Sequence, residues 1–389
     1  MKVLLTGHRG YIGAVLGEML AARGHEVVGY DTGLYRNAFE IPAVYGGDEG
    51  GKRFFESAEP TLYRQSPPGY PAPWGRVGLY DGSELYPWRC TFREIHKDIR
   101  DVSPEDVDGI EGVIHLAALS NDPLGELDLR LTEEINFQAT VRLAELARAA
   151  GAKRFVFAST QSIYGISRTD EELDEEKSEK NPITAYAKTK WRAEQVLKPM
   201  GTDTFTVVFL RPATVFGASP MLRCDIVFNN LLASAYTTGK VEIKSDGTPW
   251  RPVVHVRDVS AAFIAALEAP AAIVAGQAFN VGIPNGNFTV RQIAEAAQRA
   301  VPGSELVFSG EHGSDARTYR VSFNKILTAL KDYYRPEWDL DRGGREMIEL
   351  FKKCGFTADQ FRGRAVNRLA QIRYLRSETK QIDDDLRWR

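Results

Sequence analysis

The first 31 residues do most to limit what this chain can fold into. Lys2 to Thr6 is a short apolar run, and Gly7-His-Arg-Gly10-Tyr-Ile-Gly13 follows it directly. An apolar pattern of helical spacing continues through Val15, Leu16, Met19 and Leu20 to Arg23-Gly24-His25. A second apolar run, Glu26-Val-Val-Gly-Tyr30, ends on Asp31. The order is strand, glycine turn, helix, strand, acid. Glycines so placed permit a tight turn and let the backbone approach a pyrophosphate, while the helix N-terminus offers that anion N–H groups and partial positive charge. An acid about 20 residues beyond the turn accepts hydrogen bonds from an adenosine ribose and repels a 2′-phosphate. Gly7, Gly10, Tyr11, Ile12, Gly13 and Asp31 are therefore predicted to bind NAD in preference to NADP, a preference that the nearby Arg36 softens.

A length of 389 residues gives room for two or three structural units, or for one large domain with an appendage. With 43% hydrophobic and 26% charged residues the chain reads as globular, and a net charge of −3 gives no basic footprint for nucleic acid. No apolar run approaches the ~20 residues needed to cross a bilayer, and Met1 to Gly7 is too short in its apolar part for a signal peptide. Cys90, Cys224 and Cys354 are too scattered for a disulfide framework or a metal site, which fits a reducing cytoplasm.

Further along, Tyr186 and Lys190 stand four residues apart in Asn181-Pro-Ile-Thr-Ala-Tyr-Ala-Lys-Thr-Lys190. On a helix both face one way, and a phenol beside an ammonium forms a proton-transfer unit in which the positive charge favours the phenolate. Upstream, the apolar run Lys153 to Phe157 reads as a buried strand leading into Ala158-Ser-Thr-Gln-Ser-Ile-Tyr-Gly165.

The spacing G-x-x-G-x-x-G, rather than G-x-G-x-x-G, resembles the extended short-chain dehydrogenase/reductase superfamily, and within it the NAD-dependent nucleotide-sugar epimerases and dehydratases of the UDP-glucose 4-epimerase type. The resemblance implies an α/β fold, a Rossmann-type doubly wound parallel sheet with a smaller mixed α/β substrate domain. It aligns Thr160 with the family's catalytic Ser or Thr, with Ser159 as the neighbouring alternative, and so completes a triad with Tyr186 and Lys190. In that triad the Thr160 hydroxyl holds the reacting oxygen, Tyr186 exchanges its proton, and Lys190 lowers the tyrosine pKa and reaches the nicotinamide ribose. Lys97 to Asp101 matches the adenine-side stretch, implicating Asp98 and Ile99. Gly112 to Ser120 matches the H-x-A-A loop, placing Leu116, Ala117 and Ala118 beneath the cofactor. Val207 to Gly217 matches the segment that closes over the nicotinamide, implicating Pro212 together with Thr214 and Val215. For a nucleotide-diphosphate sugar the resemblance nominates Arg251 and Arg317 on the diphosphate. Asn229 or Asn230 is a further phosphate contact, and Ser120 and Asn121 line the cleft. Asn136, His255 and Asn280 are read as structural.

In the family's dehydratases an Asp-Glu pair follows the catalytic Thr. Here Gln161 and Ser162 stand there, so elimination of water is disfavoured. What remains is oxidation and reduction at one carbinol centre. The preferred expectation is an NAD-dependent C4 epimerase acting on a nucleotide sugar. A sugar dehydrogenase or ketoreductase with the same triad is the alternative, and a non-catalytic dinucleotide sensor a weaker one. No metal is expected, and a homodimer is.

The expected domains are 1–212 for NAD binding, with a long Gly-, Pro- and aromatic-rich insertion at about 40–92, and 213–389 for substrate binding and a C-terminal helical extension, the chain crossing between the two. In that extension Gly343 to Lys353 reads as one helix and Ala358 to Arg376 as another, with Phe361, Val366, Leu369, Ile372 and Leu375 as its apolar stripe.

Overall fold

The computed structural model describes residues 1–35, 93–167, 171–308 and 318–389. Arg36, the insertion at about 40–92 and Arg317 lie outside the described residues.

Seven parallel strands form the main sheet: β1 (Lys2–Thr6), β2 (Glu26–Asp31), β3 (Arg93–His96), β4 (Gly112–His115), β5 (Arg154–Ala158), β6 (Thr206–Pro212) and β7 (Ala278–Val281), in the spatial order β3-β2-β1-β4-β5-β6-β7. The order reverses between β1 and β4, where a doubly wound sheet opens a crevice at the carboxyl ends of its strands. Apolar residues cover both faces, as a buried parallel sheet requires. Val3 and Leu5 of β1 pack into one core with Leu16, Leu20 and Phe263, while Leu4 between them packs into the other with Phe155, Phe157 and Leu143.

The chain does not leave this sheet for good at residue 212. It departs to make a three-stranded sheet of Thr214–Phe216, Trp250–His255 and Asn287–Thr289, and a parallel pair of Lys240–Ile243 and Glu305–Phe308. It returns between these excursions to add the helix Val256–Glu268 and β7 to the main layer. Phe216, Phe228, Leu232, Ile293, Met347 and Phe351 form the separate core of this smaller mixed α/β unit. Arg223 to Ile226 form a loop ahead of the helix Val227–Thr238.

The C-terminal extension serves both units. Helix Leu340–Lys353 packs on the smaller unit, where Glu346 accepts a hydrogen bond from the Ala218 N–H and pairs with His255, which stacks on Trp338. The expected second helix is broken. Helix Ala358–Arg362 ends at Gly363, and Asn367 starts a new one, Arg368–Arg373, by accepting from the Ala370 N–H. A side chain that satisfies the first N–H groups of a turn favours initiation over continuation. Residues beyond it return to the main domain, where Ile372, Leu375, Ile382 and Leu386 join the core beside Ile99 and Leu34. Ion pairs Arg387–Asp101 and Arg130–Asp385, and a hydrogen bond from the Trp388 indole to the Thr32 carbonyl, fasten that end.

Helix α2 (Ala185–Leu197) is pinned to the sheet by one buried carboxylate. Glu194 accepts from the Ser159 hydroxyl and from Arg211 Nε and Nη2, at 3.0 and 2.6 Å for the two arginine bonds. Removing one partner of such a pair strands the other charge in the core. Glu194→Ala is therefore expected to lower the unfolding free energy by roughly 3–5 kcal/mol, read from the denaturant midpoint at constant slope.

Candidate active site

A cleft of about 490 Å3 lies along the carboxyl ends of the strands. Its floor is the glycine turn. Gly7 holds φ of +73°, and a Cβ at Gly13 would stand 2.1 Å from the Gly7 carbonyl oxygen, so the turn itself excludes side chains there. Helix α1 (Tyr11–Ala22) then starts at Gly10 with no side-chain cap and no acid in its first turn. Its first N–H groups are thus open to an anion, and the dipole favours one. Asp31 ends β2 with its carboxylate held in place by the Gly33 and Arg9 backbone N–H groups, at 2.7 and 3.1 Å. An uncapped helix start beside an anchored acid fits a dinucleotide.

All of the residues predicted to hold the cofactor border this one cleft: Gly7, Gly10, Tyr11, Ile12, Gly13 and Asp31 on the first βαβ unit, Asp98 and Ile99 after β3, Leu116, Ala117 and Ala118 after β4, and Tyr186, Lys190 and Pro212. Asp98 contributes wall more than an open acceptor, because both its oxygens already receive hydrogen bonds from Arg100. Asn136 sits in a π-bulge and clamps the backbone of Leu119 with both ends of its amide. That clamp fixes the loop carrying Ala117 and Ala118.

Thr160, Tyr186 and Lys190 meet in the same cleft. Thr160 accepts from the Ser162 N–H and hydrogen-bonds the Tyr186 phenol. Ser159 is adjacent, but its hydroxyl is given to Glu194, so Thr160 is the hydroxyl open to a ligand. Lys190 is 2% exposed, donates to the Ala158 carbonyl at 2.8 Å and lies over the Phe157 ring.

The electrostatics correct the sequence-based expectation. The Tyr186 phenol is not lowered. Burial pushes it up to about 12, opposed by the Thr160 hydrogen bond and by Arg223, and aided by Asp122. Lys190 is the perturbed base: burial pulls it down to about 7, against the pull of Glu194. A lysine kept from water favours its neutral form and then exerts little field on its neighbour.

The substrate-side expectations divide. Ser120, Asn121 and Arg251 border the cleft. Asn229 does not serve as a phosphate contact: it is fully buried, accepts from the Gly217 N–H and donates to the Tyr11 hydroxyl and the Arg223 carbonyl, which leaves no open hydrogen. Asn230 donates to the Cys224 carbonyl. His255 and Asn280 are buried and engaged with Glu346 and Tyr164 respectively. Sequence reasoning missed Tyr35, Arg223, Asp225, Tyr319, Arg368 and Leu386, all of which border the cleft. Arg223 and Asp225 carried a signal, two opposite charges just past the nicotinamide segment. Arg368 and Leu386 carried none.

Residues 3–282 match the NAD dependent epimerase/dehydratase family, and the chain belongs to it. It is an NAD-dependent enzyme of the extended short-chain dehydrogenase type, with NAD as the cofactor that this cleft accommodates. Among curated relatives, the UDP-glucose 4-epimerase of Bacillus subtilis is 30% identical over 61% of this chain and 73% of its own length. That of Mycolicibacterium smegmatis is 27% identical over 90% of this chain and 99% of its own. The fold is shared with UDP-glucuronic acid 4-epimerase from Bacillus cereus, solved with UDP-glucuronic acid and NAD, at a TM-score of 0.68 and 22% identity over 91% of this chain and 99% of that one.

The lysine gives a test that needs no substrate. An unfolded lysine titrates near ~10.4, so between about 7 and that value the unfolded chain binds a proton that the folded chain lacks. Stability then rises with pH across this window. Lys190→Met removes the buried amine, so its unfolding temperature is expected to exceed that of the unaltered protein most at pH 6–7 and to lose that margin steadily toward ~pH 10, as scanning calorimetry at a pH series would record.

Proposed function

We propose that the protein is an NAD-dependent nucleotide-sugar 4-epimerase, oxidising the C4 carbinol to a transient ketone and reducing it again on the opposite face. The reading is carried by the convergence of Thr160, Tyr186 and Lys190 on the cleft built by the glycine turn, with Ser162 rather than a carboxyl at the cleft wall beside Thr160. Bound NAD supplies the hydride acceptor and, once reduced, the donor. The chain's own residues handle the proton and the position. Thr160 holds the reacting oxygen, and Tyr186 takes the hydroxyl proton and returns it. At neutral pH a phenol at about 12 is protonated, which suits the return step, donation to the keto oxygen. In the oxidising step the phenolate is favoured by the Thr160 hydrogen bond and by Arg223.

Substrate recognition in this proposal falls to Arg251, which borders the cleft and steadies its guanidinium by donating Nη1 to the Trp250 carbonyl at 2.9 Å. A planar fork suits a diphosphate. Support comes from the curated relatives, among them the UDP-glucose 4-epimerases of Bacillus subtilis and Mycolicibacterium smegmatis.

The deciding experiment adds a panel of nucleotide sugars to the purified protein without free cofactor. An epimerase regenerates its cofactor each cycle, so interconversion of C4 epimers with no net NADH is expected. Stoichiometric NADH production or consumption would instead make the protein a dehydrogenase or ketoreductase. Tyr186→Phe is expected to cut turnover by ~10²–10⁴ while bound NAD, quantified after acid release, stays at the unaltered level. Arg251→Ala is expected to raise KM for the nucleotide sugar by roughly tenfold or more with a smaller effect on kcat, since a bond to the diphosphate serves ground state and transition state alike.

A further inference from the structure

The family match ends at residue 282, yet the cofactor cleft takes part of its wall from Arg368. This arginine opens the helix Arg368–Arg373 and is 2% exposed. Its Nη2 donates to the Met221 carbonyl, its guanidinium carbon lies 4.5 Å from the centre of the Tyr35 ring, and its backbone N–H reaches Asp225 at 3.3 Å. Nη1 has no hydrogen-bond partner among the described residues. Leaving a buried charged donor unsatisfied is costly, and burial works against the charge of this guanidinium. Beside it, Arg223 spends two bonds on Asp225. The carboxylates near Arg368, Asp225 and Asp31, are already held by Arg223 and by the Gly33 and Arg9 N–H groups, so Nη1 of Arg368 stays an open, positively charged donor.

The surroundings say which anion that open donor suits. Met221 lies just past residues that rest on the glycine turn. The Ser219 hydroxyl donates to the Tyr11 carbonyl at 2.8 Å, and the Tyr11 hydroxyl donates to the Gly217 carbonyl at 2.6 Å. Tyr35 lies four residues beyond Asp31, and Gln371, one turn after Arg368, donates to the Leu34 carbonyl. Arg368 thus borders the stretch of cleft between the open start of α1 and the acid that ends β2. In a dinucleotide the group between ribose and helix start is the diphosphate.

We infer that Arg368 is a cofactor-binding residue whose guanidinium holds the NAD diphosphate from the side opposite the N-terminus of α1. The anion is then neutralised from both sides, by helix N–H groups and by a guanidinium that Tyr35 and Met221 hold ready. The inference rests on the cofactor and is independent of the sugar chemistry. A protein that binds NAD as described but fails to epimerise would refute the proposed reaction and leave Arg368 in its role.

The test is calorimetric titration of the nucleotide-free full chain with NAD, ADP, adenosine and UDP. Arg368→Gln is expected to weaken NAD and ADP by about tenfold or more, leaving adenosine and UDP unchanged. Arg368→Lys, which keeps the charge and loses the fork, is expected to weaken NAD by only about two- to fivefold. Equal weakening of adenosine and NAD would overturn the inference in favour of a packing role. Weakened UDP with unchanged NAD would overturn it in favour of the nucleotide sugar's diphosphate. If the glutamine variant does not fold, unchanged NAD affinity in the lysine variant overturns it as well.

Discussion

Glu194 is buried on α2 and receives hydrogen bonds from Ser159, just past β5, and from Nε and Nη2 of Arg211 on β6. Arg211 Nη1 continues to the Tyr164 hydroxyl, Tyr164 to the Asn280 side chain on β7, and the Asn280 N–H to Glu175. One polar chain therefore ties α2 to three adjacent strands through a core that is otherwise apolar. Such a network is costly to bury and unforgiving of gaps, so its return is in position rather than in bulk stability. Tyr186 and Lys190 project from the helix that it fixes. Glu194 also pulls the Lys190 pKa upward against burial, so the carboxylate that places the lysine keeps its protonation near neutral pH.

The two units of the protein meet at a second polar joint. Tyr11, in the first turn of the cofactor helix, donates to the Gly217 carbonyl and accepts from Asn229 of the smaller unit. Asn229 in turn holds the Gly217 N–H and the Arg223 carbonyl. The loop that brings Arg223 and Asp225 to the cleft is thereby referenced to the glycine turn. The asparagine acts as a bracket between the glycine turn and this wall of the cleft, a role for which its four hydrogen-bonding positions suit it.

Much of this was legible in the sequence because the information was local. The glycine turn, the acid ending β2 and the four-residue spacing of Tyr186 and Lys190 each lie within one element or one turn, and the short connections of a doubly wound sheet bring them to one edge. Burial was not legible. From spacing alone Lys190 should depress the tyrosine, yet burial away from water weakens the lysine's own charge. Nor does sequence distinguish a polar side chain that meets a ligand from one that meets its own backbone, which is why Asn229 read as a phosphate contact. Arg368 was hidden for another reason. It reaches the cleft through a helix broken at Gly363 and Asn367, over a separation of more than three hundred residues from Tyr35.

The cleft has its floor at Gly7 and one wall at Leu386. A domain made on the ribosome can begin to fold from its N-terminal end, and here the main sheet is complete once β7 has emerged. The groove above it is not. Until residues 368–388 have been synthesised and folded back on Leu34, Thr32 and Asp101, a nascent chain owns a glycine turn with one side missing. Completion of the cleft is thus a late event in the life of each molecule, since the segment made last supplies both its final wall and part of the core beneath the sheet.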